Sequence, residues 1–491
     1  MPKVTNIRGA STVLTALAAV VLALGYLAGV GTQTADAAGK TRYEVTALDE
    51  AWTGSIGRDI NEAGKVAGQG TNSALTPPAQ AFLWDGGDAL DLGVPAGGNL
   101  SRARSINDSG DVVGEWRILV GRQQRFKAFL YEDGQMNDLN GLIPAGTGWD
   151  LTGAQAINGT GQVVGAGTRS GQTRAFLYEE GAVTDLGGEV LRDPYSAAWG
   201  INDSGDVVGG AGITDLQSEA FVYRGGTVDK LGNPGPFSAS EAVGINNSGQ
   251  AIGWSFNPGQ NPPQGEAFLY DYSGDGGTKI VPLQPLPDDL YTRARDVDEA
   301  GRVVGWSRND GANTPQEEQF SATLWEGGQV KDLNELIPPN SGWKLVDAYA
   351  INESGQIVGS GFRDGNLEAF LLNPVYDFSG FFAPVDNPSV VNSVNAGRAV
   401  PVKFSLSGDQ GLGVIEETYP RSQQVPCDAT ASVDGIEETA SAGASGLTYD
   451  AASDEYTYVW KTEKAWSDTC RQFVLKLDDG TYHRANFEFR R

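Results

Sequence analysis

A nine-residue phrase, Ile106-Asn107-Asp108-Ser109-Gly110-Asp111-Val112-Val113-Gly114, returns in varied form along most of this chain. Its copies begin at Ile60-Asn61, Ile106-Asn107, Ile157-Asn158, Ile201-Asn202, Ile245-Asn246, Val297-Asp298 and Ile351-Asn352, at spacings of 46, 51, 44, 44, 52 and 54 residues. Self-similarity on that scale belongs to the blades of a β-propeller; the coils of a β-helix are much shorter.

Each copy reads as four short strands. The first ends at Ile-Asn, and a turn such as Asn107-Asp108-Ser109-Gly110 follows. Asn bonds its own backbone in such a turn and Gly accepts positive φ, which suits a hairpin. The second strand closes on a glycine (68, 114, 165, 209, 253, 305, 359), the mark of a bulge or a close backbone approach. The third is Ala-Phe-Leu-Tyr or a variant, from Phe82/Trp84 to Phe370/Leu372. Alternation makes both of its faces apolar, so both must be buried. The fourth usually ends in Asp-Leu, as at Asp138-Leu139 and Asp185-Leu186.

The two ends of the repeat are complementary. Tyr43-Glu44-Val45-Thr46-Ala47-Leu48 reads as a fourth strand with no blade before it, while the seventh copy runs from Leu372 into Asn373-Pro374 with no fourth strand. The expectation is an all-β chain whose opening strand completes the last blade of a seven-bladed β-propeller over residues 39–375. Closure removes two exposed sheet edges.

Residues 1–38 read as an export signal: Lys3 and Arg8, an apolar run to about Val30, then Ala35-Asp36-Ala37 as a cleavage site. The apolar run is nearly long enough to span a bilayer, so a membrane is a partner only if this leader stays uncleaved. From about residue 376 the repeat stops, and 376–491 reads as an Ig-like β-sandwich. Gln472–Leu477 and Tyr482–Phe487 flank an Asp479-Gly480 turn as a hairpin. Both cysteines, Cys427 and Cys470, lie here. With export, one disulfide is expected, adding about 4 kcal/mol in the chain-entropy model.

The residue inventory limits the chemistry. The formal net charge is −27, which argues against nucleic acid and other anionic polymers. The one histidine, His483, falls in the small domain, so the repeat can build neither a Ser-His-Asp site nor a histidine metal site. The recurring acids Asp91, Asp138, Asp185, Asp229 and Asp332 hold equivalent places in their blades, as groups that tie turns do. Asp271–Gly276 imitates the first half of a calcium loop, but its twelfth position is Pro282, which leaves at most weak calcium binding and no other cofactor. Two longer connections are alike, Asn140–Trp149 and Asn334–Trp343. Trp149 and Trp343 are the candidate ligand-binding residues; the alternative is that they cap gaps between blades.

The phrase Ile-Asn-x-x-Gly-x-Val-Val-Gly with Ala-Phe-Leu-Tyr resembles the HAF repeat family of bacterial extracellular proteins over about residues 43–375. That resemblance implies export and β repeats and carries no agreed activity. Val297-Asp298 and Ala322-Thr323-Leu324-Trp325 depart from it. Pro401-Val402-Lys403-Phe404 and Cys470–Gly480 resemble the PxKF module of secreted bacterial proteins, implying an accessory domain at the cell surface. The expectation is a secreted or envelope-associated, non-enzymatic binding or scaffold protein that meets an envelope protein or glycan through rim loops. The alternatives are a carbohydrate-active enzyme with an acidic site in the channel, and a purely structural envelope protein.

Overall fold

The computed structural model describes residues 42–491 apart from 78, 215–216, 260–263, 273–278, 310–318, 417, 428–431 and 436–445. The leader read at 1–38 and residues 273–276 of the calcium-like loop lie outside the described residues. The chain divides into two compact units, one spanning Thr41–Val375 and one that includes Tyr376–Arg491.

The larger unit is a series of seven four-stranded antiparallel sheets. Sheet 1 runs from Thr53 to Gly93, sheet 2 from Gly98 to Asp138, sheet 3 from Trp149 to Asp185, sheet 4 from Tyr195 to Gly232, sheet 5 from Ala239 to Pro282 and sheet 6 from Tyr291 to Asp332. Sheet 7 takes three strands from Trp343–Val375 and its fourth from Arg42–Ala47. The opening strand pairs with Asn366–Val375, Arg42 opposite Val375 and Ala47 opposite Phe370, as the unmatched ends of the repeat require.

Apolar clusters fill the junctions between consecutive sheets. Ala81 and Leu92 of sheet 1 meet Ile106 and Phe129 of sheet 2; Ala350, Val358 and Leu371 of sheet 7 meet Ile60, Val66 and Phe82 of sheet 1. Sheet 7 therefore packs on sheet 1. The third-strand phenylalanines 82, 129, 176, 221, 268 and 370 are all at most 1 % exposed, because a neighbouring sheet covers each face.

A polar ladder runs beside the apolar one. The side-chain amide of Asn61 donates to the carbonyl of Asn107, Asn107 to Asn158, Asn158 to Asn202, Asn202 to Asn246, and Asn246 to Asp298. In each turn the same side chain accepts a backbone N–H four residues on, as Asn107 does from Asp111. Asp298 has no amide to donate. There Arg302 pairs with the Asp298 carboxylate and passes a hydrogen bond to the Glu353 carbonyl, so the divergent copy keeps its tie with different atoms.

Four of the five recurring acids hold turns, Asp91 among them through Gly93 N; Asp229 instead pairs with the Arg224 guanidinium at 2.8 Å. Asp138 and Asp332 accept from Asn140 N and Asn334 N, and Asp185 from Gly188 N. The second-strand glycines are a close approach: a Cβ at Gly114 would meet the Arg102 carbonyl oxygen well inside 3.0 Å, and the same holds at 165, 209, 253, 305 and 359.

In the smaller unit two sheets share one core. The four-stranded sheet holds Phe381–Phe382, Ala399–Phe404, Leu447–Asp450 and Glu455–Lys461; the five-stranded sheet includes Thr469–Lys476 and Tyr482–Arg490. Val400, Phe404 and Trp460 from one meet Phe473 and Phe487 from the other. The Asp479-Gly480 hairpin forms, with Leu475 opposite His483. Val390–Asn395 departs from simple hairpin reasoning, pairing in parallel with Tyr482–Arg490 and with Ser432–Gly435. Cys427 and Cys470 form a disulfide with Cα atoms 5.2 Å apart. Among the described residues no helix is long and apolar enough to cross a membrane.

Candidate functional site

The first strand of each sheet carries a register shift at one equivalent place, and those of sheets 1, 2, 3 and 7 carry a second nearer their start. The equivalent shift falls between Gly57/Asp59, Ala103/Ser105, Ala154/Ala156, Ala198/Gly200, Ala242/Gly244, Ala294/Asp296 and Ala348/Ala350. The skipped residue always stands three before the Asn or Asp that ends the strand. A bulge re-aims its side chain. The residues so treated are Arg58, Arg104, Gln155, Trp199, Val243, Arg295 and Tyr349, and all seven line a single cavity of about 210 Å³ together with Glu241, Arg293 and Ala294. The close-approach glycine sits opposite the residue just before the bulge, as Gly114 does opposite Ala103.

The lining is cationic and aromatic, inside a unit from a strongly acidic chain. Arg295 makes a two-point ion pair with Asp347, at 3.2 and 2.7 Å. Arg104 reaches Glu115 at 2.9 Å. Arg58 and Arg293 make no ion pair among the described residues; their guanidiniums lie over the rings of Tyr349 at 4.4 Å and Trp254 at 4.3 Å. Arg295 also lies over Tyr349, at 4.7 Å.

Proton affinities follow from these surroundings. Burial, with Arg295 nearby, pushes Arg293 down to about 10. Burial also lowers Arg58. Burial works against the charge of Arg295 too, but the Asp347 carboxylate outweighs it and holds Arg295 above its ordinary value. Burial followed by the Asp347 charge raises Tyr349. The Nε atoms of Arg58, Arg104 and Arg293, and Trp199 Nε1, are buried with no hydrogen-bond partner among the described residues.

Two further acids stand beside the bulges in sheets 1 and 6. Asp59 accepts from Ile60 N and from Ile106 N of the next sheet, at 2.9 Å each. Asp296 accepts from Val297 N and from Ile351 N of the next sheet, at 2.9 and 3.0 Å. Burial raises Asp59 to about 6; burial and then the Asp59 charge raise Asp296 to about 7.

The tryptophans singled out from the sequence are not brought together. Trp149 begins sheet 3 and Trp343 begins sheet 7, each half-buried at the edge of its own apolar cluster. Their settings match: edge-on to Phe176 and Phe370, both at 6.2 Å, beneath Arg169 and Arg363 at 5.6 and 5.5 Å. A Cβ at Gly167 or Gly361 would stand only 3.1 or 3.2 Å from the indole, so each ring rests on bare backbone. His483 stacks on Phe378 with ring centres 3.6 Å apart, and burial pushes it down to about 4.

Sequence reasoning missed the cavity, yet a signal was there. Three residues before each turn the copies read Arg, Arg, Gln, Trp, Val, Arg and Tyr. The preceding position is always Gly or Ala, and the one just before the Asn or Asp always Ile or Val. Large, chemically varied side chains set between a constant small residue and a constant Ile or Val are where a repeat protein keeps what is not structural.

The family described as a protein of unknown function (DUF3466) matches residues 29–233 and 195–377. The chain belongs to that family. The two matches tile the repeat region and stop where the repeat stops. No curated protein matches the chain. Among solved structures, a gluconolactonase of Xanthomonas campestris is similar at 13 % identity and a TM-score of 0.33, over 68 % of this chain and 91 % of that one. An acylaminoacyl peptidase of Pyrococcus horikoshii is similar at 11 % identity and a TM-score of 0.37, over 70 % of this chain; the DUF3466 chain spans 62 % of its length. Likenesses this slight carry no argument about activity.

Proposed function

We propose that this DUF3466 protein is an exported, non-enzymatic binding protein: a seven-bladed β-propeller followed by an Ig-like β-sandwich, which takes its ligand in the cavity at the inner strands. The single observation that carries this reading is that seven bulged residues, one per sheet, converge on that cavity. A bulge repeated seven times around one space, presenting three arginines, a glutamine, a tryptophan, a valine and a tyrosine, is a platform for recognition. Export is supported by the leader-like residues 1–38, the disulfide and the likeness to HAF repeats and the PxKF module. Trp149 and Trp343 are the rival seat on the rim, for a glycan or an envelope protein.

The enzyme reading draws on Asp59, Asp296 and Glu241, acids at positions that most copies fill with other residues. It is the weaker one. Both oxygens of Asp59 and of Asp296 already accept backbone N–H groups that tie one sheet to the next, and neither side chain lines the cavity. Titrating the purified protein against a panel of small glycans and envelope-derived acids tests the proposal. Binding abolished by R293Q and kept by W149A/W343A supports the cavity; the reverse pattern moves the site to the rim. Release of product from any panel member, lost in E241Q, establishes the enzyme instead.

A further inference from the structure

The chemistry of the lining selects among ligands. We infer that the cavity recognises an oxyanion, a carboxylate or phosphate, carried on a molecule about the size of one sugar ring; this rests on the cavity being the ligand seat.

Three observations lead there. First, charge is unevenly matched. Asp347 and Glu115 answer Arg295 and Arg104, while Arg58 and Arg293 have no ion-pair partner among the described residues. Glu241 in the lining offsets part of that excess. A guanidinium's planar donors suit a carboxylate or phosphate, and a half-buried cation with no counter-ion gains from an anion that joins it.

Second, the lining is rich in donors: Arg58, Arg104, Arg293, Arg295 and Gln155 stand against the one carboxylate of Glu241, so a ligand that brings acceptors is the better match.

Third, size and shape set the rest of the molecule. About 210 Å³ lies below the range of about 300–1,000 Å³ usual for drug-sized ligands, so a polymer does not fit inside. Trp199 in the lining supplies an indole for a ring to pack on, and Gln155 is at hand for a hydroxyl.

The field around the cavity also has a direction. At the ends of the inner strands the turns form a girdle in which Glu62, Asp108, Asp203, Glu299 and Glu353 accept backbone N–H groups from the neighbouring turn. An anion is repelled by that girdle.

Calorimetric titration with glucuronate, glucose 6-phosphate and glucose tests this, since the three share a ring and differ in charge. One of the two acids binds at least tenfold tighter than glucose, its affinity falls as salt rises, and R58Q/R293Q weakens it at least tenfold. Which acid binds tells carboxylate from phosphate. Should R58Q/R293Q not fold, V243E puts a carboxylate into the lining and weakens only the acids, and the wild-type ranking still decides. Equal binding of all three, sensitive to R58Q/R293Q or V243E, overturns the anion and leaves the seat. Binding lost in W149A/W343A and kept in the cavity variants overturns the seat. No binding of any of the three at millimolar concentration overturns the inference.

Discussion

The side-chain amide of Asn352 donates to the main-chain carbonyl of Asn61 at 3.1 Å, across 291 residues of sequence. Both side chains are buried. The same bond joins neighbouring turns all along the repeat, so this one gives the junction of sheet 7 with sheet 1 the tie that every other Asn-bearing junction has. Asn352→Ala leaves the Asn61 carbonyl and the Gln356 amide without their partner. A loss of about 1–3 kcal/mol is expected, read from the urea midpoint at unchanged slope.

Asp298 offers the converse experiment. D298N alone restores the missing amide but strips Arg302 of its carboxylate, and destabilises. D298N/R302Q rebuilds the Asn–Gln pair that Asn158/Gln162 and Asn246/Gln250 already make. The double variant is expected to melt at or above wild type, and a melting point below D298N would refute the compensation.

Gly114→Ala drives a methyl into the Arg102 carbonyl opposite the bulge. Overpacking of this kind costs about 1–3 kcal/mol or more. Gly87→Ala, where nothing lies within 4 Å and φ is ordinary, is the control and leaves the melting temperature within a degree or two.

Deleting residues 39–50 removes the strand that covers Asn366–Val375. A bare sheet edge invites pairing with another chain. The truncated protein is expected to aggregate, measured by light scattering after expression; a monomeric product with native circular dichroism would count against the role given to Arg42–Ala47. Trp149→Ala and Trp343→Ala each remove a ring packed on a core cluster, and a loss toward the lower end of about 3–5 kcal/mol is expected.

The two units respond to pH in opposite senses. Burial raises Asp59 to about 6 and Asp296 to about 7, so the folded state holds these protons more tightly than the unfolded chain. Their stabilising contribution is complete below about pH 4 and is lost as pH rises through 6–7. His483 is lowered to about 4, so its contribution is present above about pH 6.5 and is lost as pH falls toward 4. Each tenfold difference in acidity is worth about 1.4 kcal/mol. Melting followed from pH 4 to 8 should show the larger unit losing stability toward neutrality and the smaller one gaining it. D59N/D296N flattens the first slope and H483F the second; a variant slope equal to wild type rejects the corresponding assignment.

The chain's periodic patterns settled what is local. The spacing of Ile-Asn turns, the alternation of Ala-Phe-Leu-Tyr and the spare strand at Tyr43–Leu48 sufficed for seven four-stranded sheets and for the partner of the first strand, because each is a rule about neighbours in sequence. The Asp479-Gly480 hairpin was legible for the same reason. The cavity was not. Simple alternation assigns Arg58 and Asp59 to opposite faces, and a bulge breaks that parity. The bulge exists only because a glycine on the partner strand admits the folded-over backbone, and the seven lining residues stand 44–54 positions apart in the chain. Net charge could not point to it either: it sums over the whole surface, whereas the cavity's character depends on the few groups that packing gathers around one space.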